Sequence, residues 1–423
     1  MSTVLSPIPG VADALGAASD TTLHAPSGAK AKRARIVSVD ALRGFVMLLM
    51  LVDHTREFFY YHLQVSDPMA LPATPPTLFF TRLAAHLCAP VFVLLTGLAA
   101  SLYADSRSGQ GGSGQGGSGQ GGSGRAAASS FLLKRGLFLV ALEWTVVNFA
   151  WSFDPTPATV FLQVIWVIGL SMIALAALVH LPRIAVLVVG LTIVLGHNVL
   201  DPITFTPDQP GYVAWSVLHD RGFVDLPFGA KARTSYPLLP WIGVIALGWS
   251  IGPWFARAVD RDVRRRRLLL TGAAAIALFA VLRAINGYGE PLPWQVGTTP
   301  LATIMSILNL TKYPPSADFI LLTLGIGMLL LARFERASAR WNGMLVVFGS
   351  APLFFYILHL YLLHGINRLI GAAVGGASDG LVGVPNVASI WLVAATVAVP
   401  CWFACRWFGR FKRVHTGWWW RYL

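Results

Sequence analysis

The sequence predicts an all-α, polytopic integral membrane protein with about ten transmembrane helices, and two observations carry this prediction. Of the 423 residues, 55% are hydrophobic and only 12% are charged, whereas about 25% are charged in a typical soluble domain. Apolar runs of about 20 residues, each long enough to cross a bilayer as a helix, recur from Leu42 to the C-terminus. Lipid cannot satisfy backbone polar groups, so these runs must be helical.

Breaks between the apolar runs set the boundaries of the spans. The segment Asp154–Pro157 separates the third span from the fourth, and Leu181–Arg183 separates the fourth from the fifth. The apolar segment Leu301–Leu310 is too short to cross a membrane and predicts either a re-entrant segment or the lead-in to the eighth span. The predicted spans cover residues 40–60, 82–104, 130–151, 158–180, 183–200, 236–256, 267–286, 317–333, 344–366 and 385–408.

The charge distribution is that of a membrane protein rather than of a nucleic-acid-binding protein. The formal net charge is +13, but the basic residues sit in short loops between apolar runs. With the N-terminus inside, 23 of the 32 Lys and Arg residues fall in cytoplasmic segments and 8 fall outside. This bias predicts that both termini are cytoplasmic. Cys88, Cys401 and Cys405 lie in apolar segments and indicate neither a disulfide framework nor a metal centre.

Composition divides the chain into a tail and one membrane domain. Residues 1–35 lack the apolar core of a signal peptide and are predicted to form a disordered cytoplasmic tail. Residues 36–423 are predicted to form a single transmembrane domain. Within it, residues 105–127 are expected to be a flexible cytoplasmic loop, because Ser108–Gly124 repeats Gly-Gly-Ser-Gly-Gln.

Polar residues recur near the predicted outer ends of the spans. Ionisable groups inside a membrane cost a few kcal/mol each on insertion scales and therefore indicate function by default. For His197, interhelical packing is the simpler explanation, and for His364 it is snorkelling to the interface. Many helices placing polar groups at one depth predict a polar cavity open to the outside. The residues are Asp53, His54, His86, Asn148, Gln163, His197, Asn198, Arg283, Lys312, Asp318, His359 and His364.

Six strings, in this order and spacing, resemble a bacterial membrane family similar to the catalytic domain of heparan-α-glucosaminide N-acetyltransferase. The likeness runs from about Arg35 to the end of the chain. The first string, with Asp40, Arg43 and a later histidine on the same span, is also similar to the wider transmembrane acyltransferases. The strings are Ser38–Gly44, Leu51–Phe59, Thr81–Gly97, Tyr236–Gly243, Lys312–Ser316 and Leu353–His359.

The resemblance implies transfer of an acetyl group from cytosolic acetyl-CoA, as co-substrate, to an acceptor across the membrane. An amino sugar or another glycan is the implied acceptor, modified at nitrogen or oxygen, in a bacterial-type inner (plasma) membrane. The partners are therefore membrane lipids, acetyl-CoA and the acceptor, with no nucleic acid and no metal expected and a homodimer left open. In the lysosomal enzyme, a catalytic histidine follows the first span in a His-Ala-Pro/Ser-Trp-type stretch. This sequence lacks that stretch, and His62 is its nearest histidine by position.

His54 is the first candidate for a general base, with Asp53, His86 and His359 beside it in the predicted cavity. Histidine suits removal of a proton from an attacking amine or hydroxyl. Asp53 and His54 are about 100° apart on a helix, so Asp53 is free to pair with Arg43 or Arg56. Oxyanion stabilisation by Asn148 or His86 and a transient acetyl-histidine both remain open. The candidate substrate-binding residues are Asp40, Arg43, Arg56, His62, Asn148, Lys312 and Tyr356.

Two other classes of protein fit the same pattern in part. A transporter or permease would line a substrate path with the outer polar residues. The absence of a convincing inverted repeat in the sequence counts against it. A non-enzymatic membrane scaffold would not require polar residues at the outer ends of the spans.

Overall fold

A computed structural model describes residues 36–60, 69–108, 120–337, 339–375, 382–415 and 417. Helices dominate these residues, and the few strands are short. The helices are α1 (Val37–Phe59), α2 (Pro76–Ala85), α3 (Cys88–Ser108), α4 (Gln120–Leu142), α5 (Asn148–Ser152), α6 (Val164–Leu178), α7 (Arg183–Gly196), α8 (Tyr212–Leu218), α9 (Leu239–Ser250), α10 (Arg261–Ile285), α11 (Pro300–Leu308), α12 (Ala317–Phe334), α13 (Ala339–Gly349), α14 (Pro352–Val374) and α15 (Val387–Val414). The strands are β1 (Thr159–Leu162), β2 (Phe223–Asp225) and β3 (Lys231–Thr234).

Six helical stretches in the described chain are long and apolar enough to cross a membrane. They are Pro76–Ser108, Arg183–Leu200, Arg261–Ile285, Ala317–Phe334, Pro352–Val374 and Val387–Val414. The other four predicted spans coincide with α1, with α4 and α5, with α6 and with α9. The helical membrane-protein class is therefore confirmed, while the count of ten spans stays a prediction.

The outer helices present apolar side chains to their surroundings. Ile184 and Val188 of α7 are 66% and 54% exposed, and Leu392 and Phe403 of α15 are 68% and 61% exposed. Exposed apolar faces of this length match a lipid environment, where they cost nothing.

Two of the predicted spans differ from the structure. The predicted fourth span starts at residue 158, but Thr159–Leu162 forms β1, which pairs in parallel with β3. Helix α6 therefore begins only at Val164. The predicted ninth span, 344–366, is divided between α13 and α14. Pro352 at the first turn of α14 favours a new helix start, because proline lacks the N–H that would continue the preceding helix.

The predicted flexible loop 105–127 is helical at both of its ends. Helix α3 continues to Ser108 and α4 begins at Gln120, while residues 109–119 and the predicted tail 1–35 lie outside the described residues. A Cβ added at Gly124 would lie 2.0 Å from the Ser108 hydroxyl oxygen. The small residues of the repeat therefore let α3 and α4 approach closely, and helical hydrogen bonds continue despite the glycine content.

Glycines bring pairs of neighbouring helices into backbone contact. A Cβ on Gly97 of α3 would lie 2.0 Å from the carbonyl oxygen of Ile245, and one on Gly248 of α9 would lie 2.0 Å from that of Leu94. Gly136 and Gly169 face each other in the same way between α4 and α6. The pairs Gly190–Gly243 and Gly272–Gly325 do so between α7 and α9 and between α10 and α12. Small residues at crossings are the usual packing device of membrane helices.

The segment predicted as re-entrant or as a lead-in is the short helix α11. Arg283, at the end of α10, donates hydrogen bonds to the carbonyl oxygens of Ser306, Ile307 and Asn309 at 3.0, 2.9 and 3.2 Å. The guanidinium therefore satisfies carbonyl groups at the C-terminus of α11 that have no partner within the helix. Its positive charge also interacts favourably with the negative end of the helix dipole.

Candidate functional site

Helices α1 and α14 bring His54 and His359 into direct contact. Nδ1 of His54 lies 2.7 Å from Nε2 of His359, and the two rings lie end to end and nearly parallel, with centroids 4.9 Å apart and an interplanar angle of 8°. Nδ1 of His359 lies 2.7 Å from the carbonyl oxygen of Phe355, one turn earlier on α14. His359 is fully buried, so the contact is sheltered from bulk water.

These two hydrogen bonds assign the protons of the pair. A carbonyl oxygen only accepts, so Nδ1 of His359 carries a proton. Neutral His359 then has its lone pair on Nε2, and Nδ1 of His54 donates to it. The lone pair of His54 consequently lies on Nε2, to which none of the described residues donates a hydrogen bond. The chain Phe355–His359–His54 thus fixes the tautomer of His54 and leaves its Nε2 as a basic atom.

Aromatic rings surround the His54 imidazole. The edge contacts of Trp151 and Tyr356 have centroid distances of 5.1 and 6.0 Å. Neither the Tyr356 hydroxyl nor the Trp151 indole N–H makes a hydrogen bond of normal geometry to a described residue, and both are buried. The Trp151 indole N–H faces the Tyr356 oxygen, so the Tyr356 O–H is the donor that lies free beside the basic histidine, where an oxygen of a bound substrate would accept from it.

Asp53 faces a different set of neighbours from His54, as the angle between adjacent helical residues requires. Arg56 Nε donates to Asp53 Oδ1 at 3.3 Å, and Arg82 of α2 makes a short hydrogen bond to Oδ2. Arg56 also contacts Glu57. Of the two partners considered from sequence, Arg56 pairs with Asp53, whereas Arg43 pairs with Asp40. Asp53 and Arg56 are 8% and 2% exposed, so this is a buried charge cluster.

A cationic and aromatic rim adjoins the charge cluster. The Lys312 ammonium lies 5.9 Å from the ring centroid of Tyr236 and 5.2 Å from that of Tyr313, and the Arg221 guanidinium lies 4.6 Å from the Tyr313 ring. The hydroxyl groups of the two tyrosines are 3.3 Å apart. Lys312 interacts electrostatically with Asp53, His54 and His86. The rim therefore lies within electrostatic range of His54.

Glu290, in the loop after α10, holds the segment that carries Lys312. It accepts hydrogen bonds from the backbone N–H of Thr311 at 2.9 Å and from the Ser316 hydroxyl at 2.6 Å. Burial raises the pKa of Glu290, and the hydrogen bonds from Ser316 and Thr311 oppose that rise. The loop is thereby fixed on both sides of Lys312.

His86 lies between α2 and α3, 1% exposed, with its ring 5.0 Å from that of Phe319. Its Nδ1 has no hydrogen-bond partner among the described residues. It therefore neighbours the site electrostatically, through Lys312 and Arg82, without a hydrogen bond to His54.

The structure places the other candidate residues elsewhere or leaves them undescribed. The Asn148 amide donates to the carbonyls of Glu143 and Phe161 and accepts from the Phe161 N–H, so it holds β1 against α5. Asp40 and Arg43 pair at 3.2 Å. Asp40 is about 20 Å from His54 along α1, too far to orient that ring. His62 lies outside the described residues.

A cavity of about 90 Å³ lies beside the histidine pair, between α1, α3, α4, α6 and α14. Met50, Thr96, Arg135 and Tyr356 are among its lining residues. Neither histidine lines the cavity, but Met50 is one turn before His54 on α1 and the Tyr356 ring contacts that of His54, so the cavity lies on the side of His54 that faces the N-terminal end of α1. A whole drug-sized ligand requires about 300 Å³ or more, so this cavity has room for the reactive end of a ligand only.

Sequence reasoning missed Arg82, Trp151 and Glu143. Arg82 stood in one of the quoted strings, but nothing in the sequence pairs it with Asp53 on another helix. Glu143 is fully buried in a π-helical turn, and its Oε2 accepts the backbone N–H of Trp166 at 3.0 Å, in the first turn of α6. The signal in the sequence for Glu143 was its position as a charged residue inside an apolar run. Trp151 had no signal beyond its position at the end of a span.

Comparison with known protein families identifies the family to which this chain belongs. No curated protein matches it. The matched family region contains α1 to α10, hence Asp53, His54 and His86, whereas His359, Tyr356 and Lys312 lie beyond it. Because the family model for the catalytic domain of heparan-alpha-glucosaminide N-acetyltransferase matches residues 35–283, more than half of the chain, this protein belongs to that family.

Proposed function

We propose that this protein is a membrane-bound acetyltransferase that moves an acetyl group from cytosolic acetyl-CoA to an extracytoplasmic acceptor, with His54 as its general base. Family membership supports a membrane acetyltransferase in general. The observation that carries the choice of His54 is the hydrogen-bond chain from the Phe355 carbonyl through His359, which leaves a lone pair on His54 Nε2.

The chemistry of this step follows from the proton assignment. The acceptor nitrogen or oxygen attacks the carbonyl carbon of the thioester, and His54 Nε2 takes the proton that the nucleophile loses. His359 accepts the Nδ1–H of the imidazolium and stabilises its charge. As the carbon–sulfur bond breaks, the thiolate of CoA leaves and receives that proton. The Tyr356 hydroxyl, which the Trp151 indole N–H faces, is the nearby donor for the oxyanion.

The two substrates are proposed to approach the histidine pair from opposite sides. The cavity at Met50, Thr96 and Arg135 would receive the thioester end of acetyl-CoA from the cytoplasmic direction. The rim of Lys312, Tyr236 and Tyr313 would receive the acceptor. Aromatic faces and charged hydrogen-bond donors suit a glycan or amino sugar, which offers both apolar ring faces and polar groups.

The direction of transfer depends on the proposed topology of ten spans with both termini in the cytoplasm of a bacterial-type inner membrane. The distribution of basic residues supports this orientation. A reporter that works only in the cytoplasm is expected to be active when it is fused after Leu423. Activity of a periplasm-dependent reporter at the same site would contradict the topology and reverse the assignment of the two sides.

The test of the function is release of CoA thiol by the purified protein in detergent, with acetyl-CoA and a panel of amino sugars. Release above the rate without acceptor, together with acetylated product by mass spectrometry, is expected. The transporter alternative predicts uptake of acceptor into proteoliposomes with no release of CoA and no acetylated product. That result would replace the proposed function.

A further inference from the structure

A second cluster of metal-ligating side chains lies outside the site described above. His197 begins the short 3₁₀ segment that follows α7, Asp201 comes directly after that segment, and His219 caps the C-terminal end of α8. One ligand atom from each residue lies within 4.8 Å of those of the other two. Both histidines are buried, at 2% and 1% exposure. The cluster joins two elements that are otherwise connected by a long loop.

The buried ring of His197 makes only one weak polar contact in the described chain. Neither Nδ1 nor Nε2 makes a hydrogen bond of normal geometry to a described residue, although one nitrogen interacts with the backbone of Pro315. That contact satisfies at most one of the two nitrogens, so the packing role that the sequence favours for His197 leaves the other without a partner. Burial of a polar group without a partner costs free energy. The neighbouring side chains of Asp201 and His219 are of types that commonly bind a metal ion together with histidine.

Among the described residues, both ring nitrogens of His219 face acceptor atoms. Its Nδ1 lies 3.1 Å from Asp220 Oδ1, while its Nε2 lies 3.2 Å from the His197 carbonyl oxygen and 3.4 Å from Asp201 Oδ1. If Nδ1–H donates to Asp220, the lone pair on Nε2 faces oxygen atoms. A cation bound at Nε2 would resolve this conflict. The same cation would also use a nitrogen of His197.

We propose that His197, Asp201 and His219 bind one divalent transition-metal ion, Zn²⁺ in the first instance, although the sequence led us to expect no metal. Two imidazoles and a carboxylate are a typical zinc ligand set, with water in the fourth position. The 3.4 Å between Asp201 Oδ1 and His219 Nε2 already matches the edge of a tetrahedron with bonds of about 2.1 Å. Asp220 is placed to hold the His219 ring through its other nitrogen, as carboxylates do behind zinc-bound histidines.

The ion would have a structural role next to the proposed acceptor rim. Asn198, inside the 3₁₀ segment, donates to Asp201 at 2.8 Å and accepts the backbone N–H of Ala317 at 2.9 Å. Arg221, two residues after His219, covers the Tyr313 ring. Cross-linking α7 to the end of α8 would therefore hold the loop that carries Arg221 and the start of α12 in one arrangement.

The experiment measures metal content and binding in the full-length protein, purified with a tag that contains no histidine. After exposure to Zn²⁺ and removal of excess metal, about one equivalent per chain is expected, together with a rise in the thermal unfolding midpoint on zinc addition. Substituting Co²⁺ should give the visible absorption of a tetrahedral site. His180→Ala, which removes an exposed histidine, is the matched control and should retain the metal.

The variants separate a ligand set from an adventitious ion. His197→Ala and Asp201→Asn are expected to lose the metal, and Asp220→Asn to bind it roughly 10–100-fold more weakly, the usual effect of losing a carboxylate behind a ligand. Asp201→Asn keeps the shape of the side chain and preserves the test if His197→Ala does not fold. A wild-type protein that binds no zinc, or variants that bind it as tightly as wild type, would overturn the proposal.

Discussion

His54→Ala is expected to fold and to bind acetyl-CoA but to lose acetyl transfer by about 100-fold or more. General acid–base groups usually contribute a factor of this size. The loss follows because Nε2 of His54 is the basic atom that the His359 contact orients. The measurement is the rate of CoA release per folded molecule at saturating substrate, with folding checked by thermal unfolding and by size-exclusion chromatography.

His364→Ala is the matched control for this substitution. His364 is a buried histidine of α14, five residues after His359, but its Nδ1 bonds to the Ala150 carbonyl at 2.9 Å and its ring stacks on Phe153 at 3.8 Å. It should lose stability on the scale of an interhelical packing contact, about 1 kcal/mol, and keep its turnover. An active His54→Ala beside an inactive His62→Ala would transfer the role of base to His62.

Asp53→Asn is expected to destabilise the protein by roughly 3–5 kcal/mol, the usual cost of removing one partner from a buried ion pair. The carboxylate compensates two guanidinium groups, those of Arg56 and Arg82. Both arginine side chains are largely buried, at 2% and 11% exposure. The amide that replaces the carboxylate carries no charge, so Arg82 would lose its carboxylate partner, and Arg56 would keep only its contact with Glu57 among the described residues. Reversible unfolding of the detergent-solubilised protein measures the effect.

Asp262→Asn supplies the comparison for the ion pair. Asp262 bonds to Arg336 at 2.8 Å, with both side chains more than half exposed, and exposed pairs contribute little. No measurable change in unfolding is expected. If the two substitutions had equal effects, Asp53 would not be the central charge of its cluster.

Hydropathy and charge predicted the membrane class because apolar length is a local property of the chain. The convergence of histidines from separate spans was predicted as a group, and the structure places His54 and His359 in contact. Rotation of each helix about its axis decides which side chains meet, and sequence alone does not give that rotation. The partnership of Asp53 with Arg82 and the separation of His86 from His54 depend on it.

The misplaced boundaries have a related cause. The strand Thr159–Leu162 is apolar enough to read as the start of a span, and only its pairing with Lys231–Thr234, about 70 residues later, makes it a strand. The division between α13 and α14 at Ser350 and Ala351 is hidden because the residues around it are apolar. Periodicity does not report a break that leaves hydrophobicity unchanged.

The glycine contacts limit how this protein can move. Where Gly97 and Gly248 let α3 and α9 touch, sliding either helix by one residue would drive a β-carbon into a carbonyl oxygen. The same holds between α4 and α6 and between α10 and α12. These helix pairs resist sliding, so we expect conformational change during a reaction cycle to come from bending at helix breaks. Helix α13 is itself held against α1, because a Cβ at Gly44 would lie 1.9 Å from the Leu345 carbonyl oxygen and one at Gly349 would lie 1.8 Å from that of Asp40. At the break between α13 and α14, the element left to tilt is therefore α14, which carries Tyr356 and His359.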